Sequence, residues 1–122
     1  MDANVSACIV DDLGRFKYIQ IKIINKKNPE DIRIVIRGSA NFGYHKDIFR
    51  NFMNEIITNK DKTLYEKYNY EVVGGGRIDI HYGDIKVYGY STAYGQADHE
   101  KTKEILERFF PTYKVECSNE GY

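Results

Sequence analysis

The segment FKYIQIKII, residues 16–24, decides the fold class because it alternates strictly between two kinds of side chain. Isoleucine occupies every second position from 19 to 23, and the positions between carry Tyr18, Gln20 and Lys22. An alternation of period two places all the isoleucines on one face of an extended chain. The segment therefore predicts a half-buried β-strand, with the isoleucines in the core and the other face toward solvent.

Further strands are predicted on both sides of this segment. Residues 32–38, IRIVIRG, alternate again after a polar turn at residues 25–31. Residues 70–82 and 85–91 are separated by Gly83 and Asp84, the arrangement of a hairpin with a tight turn. Residues 113–118, YKVECS, predict one last strand.

Two segments change to the spacing of a helix. Apolar residues between 44 and 60 recur at intervals of three and four, which predicts one buried stripe, made of Ile48, Phe49, Phe52, Met53, Ile56 and Ile57. Residues 98–110 predict a second helix, with Asp98 as its N-cap and Pro111 ending it. Its predicted buried side consists of Ile105, Leu106, Phe109 and Phe110. The order of elements implies one sheet covered by two helices, an α/β or α+β sandwich.

Length and composition narrow the class of protein. The 122 residues suit a single domain, and 18 basic residues balance 18 acidic ones, which argues against a nucleic-acid binder with a broad basic surface. No run approaches the roughly 20 apolar residues of a membrane-spanning helix, and residues 1–12 do not resemble a secretory signal. Two cysteines, Cys8 and Cys117, are too few for a disulfide framework, so we expect free thiols. We expect a soluble cytoplasmic protein without a nucleic-acid or membrane partner.

Three glycines interrupt the strand at residues 72–80, VVGGGRIDI, and Arg77 follows them directly. Glycine weakens the interior of a strand, so a run of it marks a bulge or a site of close approach. By itself the run does not identify the approaching group, and a bulge is its ordinary explanation. The run is not a P-loop, because the GK[ST] ending is missing.

Three more residues stand out against the predicted framework. Lys17 falls on the isoleucine face of its strand, and Arg37 closes the next strand just before Gly38. His45 begins the first helix, where unpaired amides and the helix dipole suit an anion. Taken singly, each has an ordinary alternative: a lysine covering apolar surface, a strand-end arginine and an exposed histidine.

The segment YGYSTAYG, residues 88–95, forms a connection rich in small residues before the second helix. Its Ser91 and the amides around Ala93 can face an anion as a nest, although an ordinary loop explains the composition equally well. His81 and His99 do not occur at a metal-ligand spacing such as HExxH, so we expect no metal and no cofactor.

Five segments in this order resemble the protein-histidine phosphatase family, also called the Janus/Ocnus family. They are GRFKYIQIKI (14–23), IVIRGSANFGYHKDIF (34–49), GGGRI (74–78), KVYGYSTAYG (86–95) and SNEGY (118–122). The resemblance runs from about Gly14 to Tyr122. It implies an α/β (α+β) fold in a single domain, residues 1–122, with a mixed sheet of about five to six strands flanked by two α-helices.

The same resemblance implies an activity, the hydrolysis of the phosphoramidate bond of phosphohistidine in proteins without a metal. It makes His45 the essential histidine and assigns phosphate binding to side chains or backbone amides of six residues, namely Lys17, Arg37, Lys46, Arg77, Ser91 and Ala93. The implied partners are phosphohistidine-containing proteins, and we expect a monomer. Asp79 shares the strand face of Arg77, so we also expect these two to be able to pair.

Two questions stay open at the level of sequence. His45 can act as a general base toward water or attack phosphorus directly as a nucleophile. The same pocket can also serve a non-catalytic protein that only binds phosphorylated sites. A histidine among three cations favours the enzyme, because recognition alone does not require a base.

Overall fold

The computed structural model describes residues 1–119, which form a six-stranded mixed sheet with helices on both faces. The strands are β1 (Cys8–Ile9), β2 (Gly14–Asn25), β3 (Ile32–Gly38), β4 (Tyr68–His81), β5 (Asp84–Tyr88) and β6 (Lys114–Cys117). The helices are α1 (His45–Thr58), α2 (Thr63–Glu66) and α3 (His99–Phe109). The predicted α+β class is confirmed. Glu120, Gly121 and Tyr122, which end the SNEGY segment, lie outside the described residues.

The order of strands across the sheet is β1-β3-β2-β4-β5-β6. The two outer pairs, β1 with β3 and β5 with β6, are parallel, and the central pairs are antiparallel. A glycine at positive φ, Gly83 (φ 84°), makes the tight turn of the predicted β4–β5 hairpin. The longest strands, β2 and β4, therefore run side by side through the middle of the molecule.

Strand β2 is buried on both faces, so the predicted half-buried strand is wrong. Its isoleucines pack beneath α1, where Ile48 and Phe52 are also buried. The opposite face lies beneath α3, and there Tyr18 is 0% exposed and Gln20 is 2% exposed. Polar groups enter this second core because each finds a partner, as Gln20 Nε2 does by donating to Thr102 Oγ1 at 2.7 Å.

The three glycines of β4 accommodate both a bulge and close packing of the chain against itself. The register of β2 with β4 shifts between Gln20 and Ile21, so Val73 is the extra residue of a bulge. A Cβ at Gly75 would lie 2.8 Å from His45 Cδ2, and one at Gly76 would lie 2.6 Å from His99 Cε1. Other residues of the same chain therefore fill the space beside Gly75 and Gly76.

Most element boundaries match the sequence prediction, with differences in short elements and at helix ends. Strand β1, of two residues, and the single-turn α2 were not predicted, because neither is long enough to show a period. Ile57 is 50% exposed and Phe109 is 47% exposed, so both are wrong as members of the buried stripes. Asp98 caps α3 as predicted, since its side chain accepts from the amides of Glu100 and Lys101.

Cys8 and Cys117 are free thiols, as predicted. None of the helices formed by residues 1–119 has the length and apolar character needed to cross a membrane. Within the same residues, no cluster of three His, Cys, Asp or Glu side chains is arranged to hold a metal ion.

Candidate active site

His45 lies at the first position of α1, with its imidazole packed against Gly75 of β4. The side chain is buried, and its Nε2 lies 3.0 Å from the carbonyl oxygen of Gly76. A carbonyl can only accept, so Nε2 carries the proton in the neutral ring. The neutral imidazole therefore keeps the lone pair of Nδ1, which can take a proton or attack phosphorus.

Burial lowers the pKa of His45, and the positive charges of Lys17 and Arg77 lower it further. The hydrogen bond to Gly76 opposes these effects without outweighing them. An imidazole held neutral near pH 7 is in the form that a general base or a nucleophile requires.

A surface pocket of about 420 Å³ opens beside His45. Its walls are formed by Lys17, Tyr44, His45, Lys46, Ser91, Thr92 and Ala93. Five residues predicted for the site therefore meet at one pocket, although they come from β2, α1 and the loop that follows β5. Their convergence was expected from the resemblance alone, since they span residues 17 to 93.

Two cationic side chains of this site, Lys17 and Arg77, come from neighbouring strands of the sheet. Lys17 pairs with Arg77 across β2 and β4, so both side chains project from the face that α1 covers. Lys17 Nζ donates to the carbonyl oxygen of Gly43 at 2.6 Å and lies 5.6 Å from the ring centroid of Tyr44. The lysine thus joins the strand to the loop that leads into α1.

The N-terminus of α1 adds backbone donors. Tyr44 is its N-cap and its side chain makes no capping hydrogen bond. The first turn of a helix leaves amides without intrahelical acceptors, and these carry the positive end of the helix dipole. The amides at His45 and Lys46 are therefore suited to bind an anion in the pocket.

The loop with Ser91 is fixed to the glycine run by backbone hydrogen bonds. The amide of Gly75 donates to Gly95 at 3.0 Å, and Gly75 accepts from Ala97 at 3.0 Å. Ser91 Oγ accepts from the amide of Tyr94 at 3.1 Å, which leaves its hydroxyl hydrogen to donate elsewhere. Because Gly75 has no Cβ, the His45 ring can pack closely against it. The backbone of Gly75 also holds the Ser91 loop in place.

Arg37 is not brought to this pocket. It projects from the same face of the sheet, but it is 5% exposed and lies under α1, with its guanidinium carbon 5.2 Å from the ring centroid of Phe52. Its Nη1 donates to the carbonyl oxygen of Ile36 at 2.8 Å, and the side chain lines a different pocket. Its position at the end of a predicted strand did not indicate that a helix would cover it.

Asp79 shares the face of Arg77, and its carboxylate is engaged by two other groups. It lies 3.5 Å from Nη2 of Arg15, the residue opposite it on β2, and 3.1 Å from Nε2 of His81. The guanidinium of Arg15 therefore compensates the negative charge of Asp79.

His99 is a further important residue, and sequence reasoning did not assign it a role. It is buried beneath the sheet, with Nε2 donating to the carbonyl oxygen of Gly89 at 2.8 Å and Nδ1 accepting from Tyr18 at 2.6 Å. Tyr18 in turn accepts from Thr102 Oγ1 at 2.9 Å. His99 thus anchors the start of the Ser91 loop, a role invisible in sequence because Tyr18 lies 81 positions away.

The chain is similar to proteins of known family along almost its whole length. The model of the Janus/Ocnus family matches residues 2–114. Sex-regulated protein janus-A of Drosophila pseudoobscura pseudoobscura is 36% identical over 98% of this chain and 79% of its own length. Janus-A of Drosophila melanogaster is also 36% identical, over 98% of this chain and 84% of its own.

A relative with a chemical activity in its name is the human 14 kDa phosphohistidine phosphatase. It is 32% identical over 93% of this chain and 90% of its own length. The janus-A names state a mode of regulation and no reaction. On the match over residues 2–114 and these relatives, the chain belongs to the Janus/Ocnus family.

Proposed function

We propose that this protein is a phosphohistidine phosphatase that hydrolyses the P–N bond of phosphohistidine in proteins without a metal ion. The observation that carries the proposal is a buried imidazole at the mouth of a cation-lined pocket, with its pKa lowered by burial and by Lys17 and Arg77. The relation to the human phosphatase supports the choice of substrate.

Binding of the phosphoryl group is assigned to the charges and amides around the pocket. Lys17 lines the pocket. Arg77, opposite it on β4, does not line the pocket but acts on His45 through its charge. The amides of His45 and Lys46 open from the start of the helix. Ser91 and the backbone near Ala93 close the opposite wall. Phosphoryl transfer depends mainly on alignment and on stabilising charge on the equatorial oxygens, and this set of donors suits both tasks.

The chemical step then needs one proton acceptor. In the general-base route, a water oxygen bonds to phosphorus, its proton moves to His45 Nδ1, and the P–N bond breaks. The departing imidazole nitrogen takes a proton, from Lys17 or from solvent. In the nucleophilic route, His45 Nδ1 bonds to phosphorus as the substrate P–N bond breaks and the departing imidazole takes a proton. Water then cleaves the bond between His45 and phosphorus and releases phosphate. The Nε2–Gly76 hydrogen bond serves either route, because it fixes the tautomer and the ring.

A second candidate function uses the same pocket only to bind a phosphorylated site. The composition of the pocket is compatible with this alternative, because cations and amides that bind a phosphoryl group suit recognition as well as hydrolysis. The two functions differ in whether the bound phosphoryl group is released.

Incubation of the protein with a phosphohistidine peptide in the presence of EDTA tests the proposal. We expect release of inorganic phosphate at a rate well above the spontaneous rate. A strict requirement for an added divalent ion would contradict the metal-free reaction, and binding without release would establish the alternative.

A further inference from the structure

The rim of the His45 pocket carries an ammonium group, that of Lys46, in addition to the one on Lys17. Lys46 follows His45 in the first turn of α1, and it lines the pocket. The lysine is exposed, whereas Lys17 is half-buried and His45 is 6% exposed. A phosphoryl group beside the His45 ring therefore lies deeper than the Lys46 ammonium group, which remains available to another part of a bound substrate.

The ring of Tyr44 holds this ammonium group near the pocket. Lys46 Nζ lies 5.6 Å from the centroid of the Tyr44 ring, and Lys17 Nζ lies 5.6 Å from the same centroid. An aromatic ring attracts a nearby ammonium group through its π face. Tyr44 is itself part of the pocket wall, so its ring favours conformations of Lys46 that keep the charge at the pocket mouth.

Lys46 has no carboxylate partner among residues 1–119. The acidic residue next to it, Asp47, is engaged by Arg50, whose Nη1 lies 3.3 Å from the Asp47 carboxylate. Within the same part of the chain, no acidic residue lines the pocket. A carboxylate of a bound molecule can therefore approach Lys46 without displacing an internal partner, and no like charge in the wall repels it.

The residues next to a phosphohistidine are the parts of a substrate that reach this position. Neighbouring Cα atoms are only about 3.8 Å apart, so the side chains that flank a phosphohistidine bound at His45 lie over the pocket mouth. Aspartate or glutamate at these positions complements the ammonium group of Lys46, whereas lysine or arginine is repelled by it.

We propose that Lys46 is a specificity-determining residue, whose ammonium group favours phosphohistidine sites with an acidic residue next to the phosphohistidine. The inference rests on the proposed function, because it places the phosphoryl group of the substrate beside His45. It adds the chemical class of the substrate, an acidic segment of a phosphohistidine-containing protein.

The binding of three peptides tests this preference without relying on hydrolysis. Each peptide contains a stable triazole phosphonate analogue of phosphohistidine, flanked on both sides by glutamate, by glutamine or by lysine. Fluorescence anisotropy at constant ionic strength measures the dissociation constants. We expect the wild type to bind the glutamate peptide about two- to fivefold more tightly than the glutamine peptide, as for other exposed charge pairs, and to bind the lysine peptide most weakly.

Substitutions of Lys46 should change the ratio of the dissociation constants for the glutamate and glutamine peptides. Lys46→Gln should lose most of the preference, and Lys46→Arg, which keeps the charge, should retain it. Lys60→Gln is the matched control, because Lys60 is exposed, does not line the pocket and follows the opposite end of α1. This control should keep the wild-type ratio.

Equal affinity of the wild type for the glutamate and glutamine peptides, or binding of neither, would overturn the proposal. A wild-type ratio in Lys46→Gln, or an equal loss of preference in Lys60→Gln, would also overturn it. Release of phosphate from a phosphohistidine peptide is measured separately and tests the proposed function. A wild type that shows the preference but releases no phosphate would confirm the role of Lys46 and reject the phosphatase activity.

Discussion

At the scale of single residues, the site depends on where side chains are missing as much as on where they are present. Gly75 leaves space for the His45 ring, and its backbone is hydrogen-bonded to Gly95 and Ala97 at the end of the Ser91 loop. The resemblance of their segments to the family predicted that Lys17, His45 and Ser91 belong to one site, and all three line the same pocket. The positions of Arg37 and His99 were not predicted, because each depends on a helix that packs over it from far along the chain.

Gly75→Ala tests this view of the glycine. The added Cβ would lie 2.8 Å from both His45 Cδ2 and the Tyr18 carbonyl oxygen, and the backbone atom cannot move aside easily. We expect a loss of about 1–3 kcal/mol in the free energy of unfolding, measured by urea denaturation, as for other overpacked sites. Gly43→Ala is the matched control: its Cβ meets no atom within 4 Å, so a change within about 0.5 kcal/mol is expected. Equal stability of the two variants would refute the close-packing role.

At the scale of elements, the two long helices begin differently. Helix α3 has the side-chain cap that its sequence predicts, from Asp98, whereas α1 begins after Tyr44 without one. The periods in the sequence predicted these helices and all strands except β1. They did not predict that β2 is covered on both faces, since Tyr18 and Gln20 resemble solvent-facing residues until their partners on α3 are known.

The missing cap of α1 has a measurable consequence. Tyr44→Ser supplies a hydroxyl that can accept from a first-turn amide, so Tyr44→Ser should be about 0.5–2 kcal/mol more stable than Tyr44→Ala. The same hydroxyl competes with a bound anion, so phosphate affinity should be roughly fivefold weaker in Tyr44→Ser. Urea denaturation and phosphate titration of the two variants measure both effects. A more stable Tyr44→Ser that binds phosphate as well as Tyr44→Ala would show that the helix amides do not contact the ligand.

At the scale of the whole molecule, the sheet separates two cores, and each contains one buried histidine. Burial is the main cause that lowers the pKa of both His45 and His99. The unfolded chain, in which a histidine titrates near 6.5, therefore binds more protons than the folded protein at mildly acidic pH. Their contribution to stability is complete above pH 6.5 and is lost as the pH falls through the lower folded values.

We therefore expect the free energy of unfolding to fall between pH 7.5 and pH 5.5, with a smaller fall in His45→Gln, which removes one of the two groups. Two carboxyl groups also have lowered pKa values, Asp61 through hydrogen bonds from Thr63 and Glu116 through a hydrogen bond from Lys114. Their ordinary pKa values are 3.8 and 4.5, so their contribution to stability is lost only below this pH interval. Urea denaturation at the two pH values measures the effect. Stability that is constant over this interval would contradict the neutral, buried state of both rings.

We propose that His45 performs the chemical step in a pocket whose affinity for phosphate comes from other groups. Single-turnover hydrolysis of a phosphohistidine peptide by the wild type and by His45→Ala, with phosphate titration of both proteins by NMR, tests it most directly. We expect His45→Ala to keep most of the phosphate affinity and to lose at least about 10²-fold in hydrolysis, the lower end for a general base. Hydrolysis by His45→Ala at the wild-type rate would contradict it.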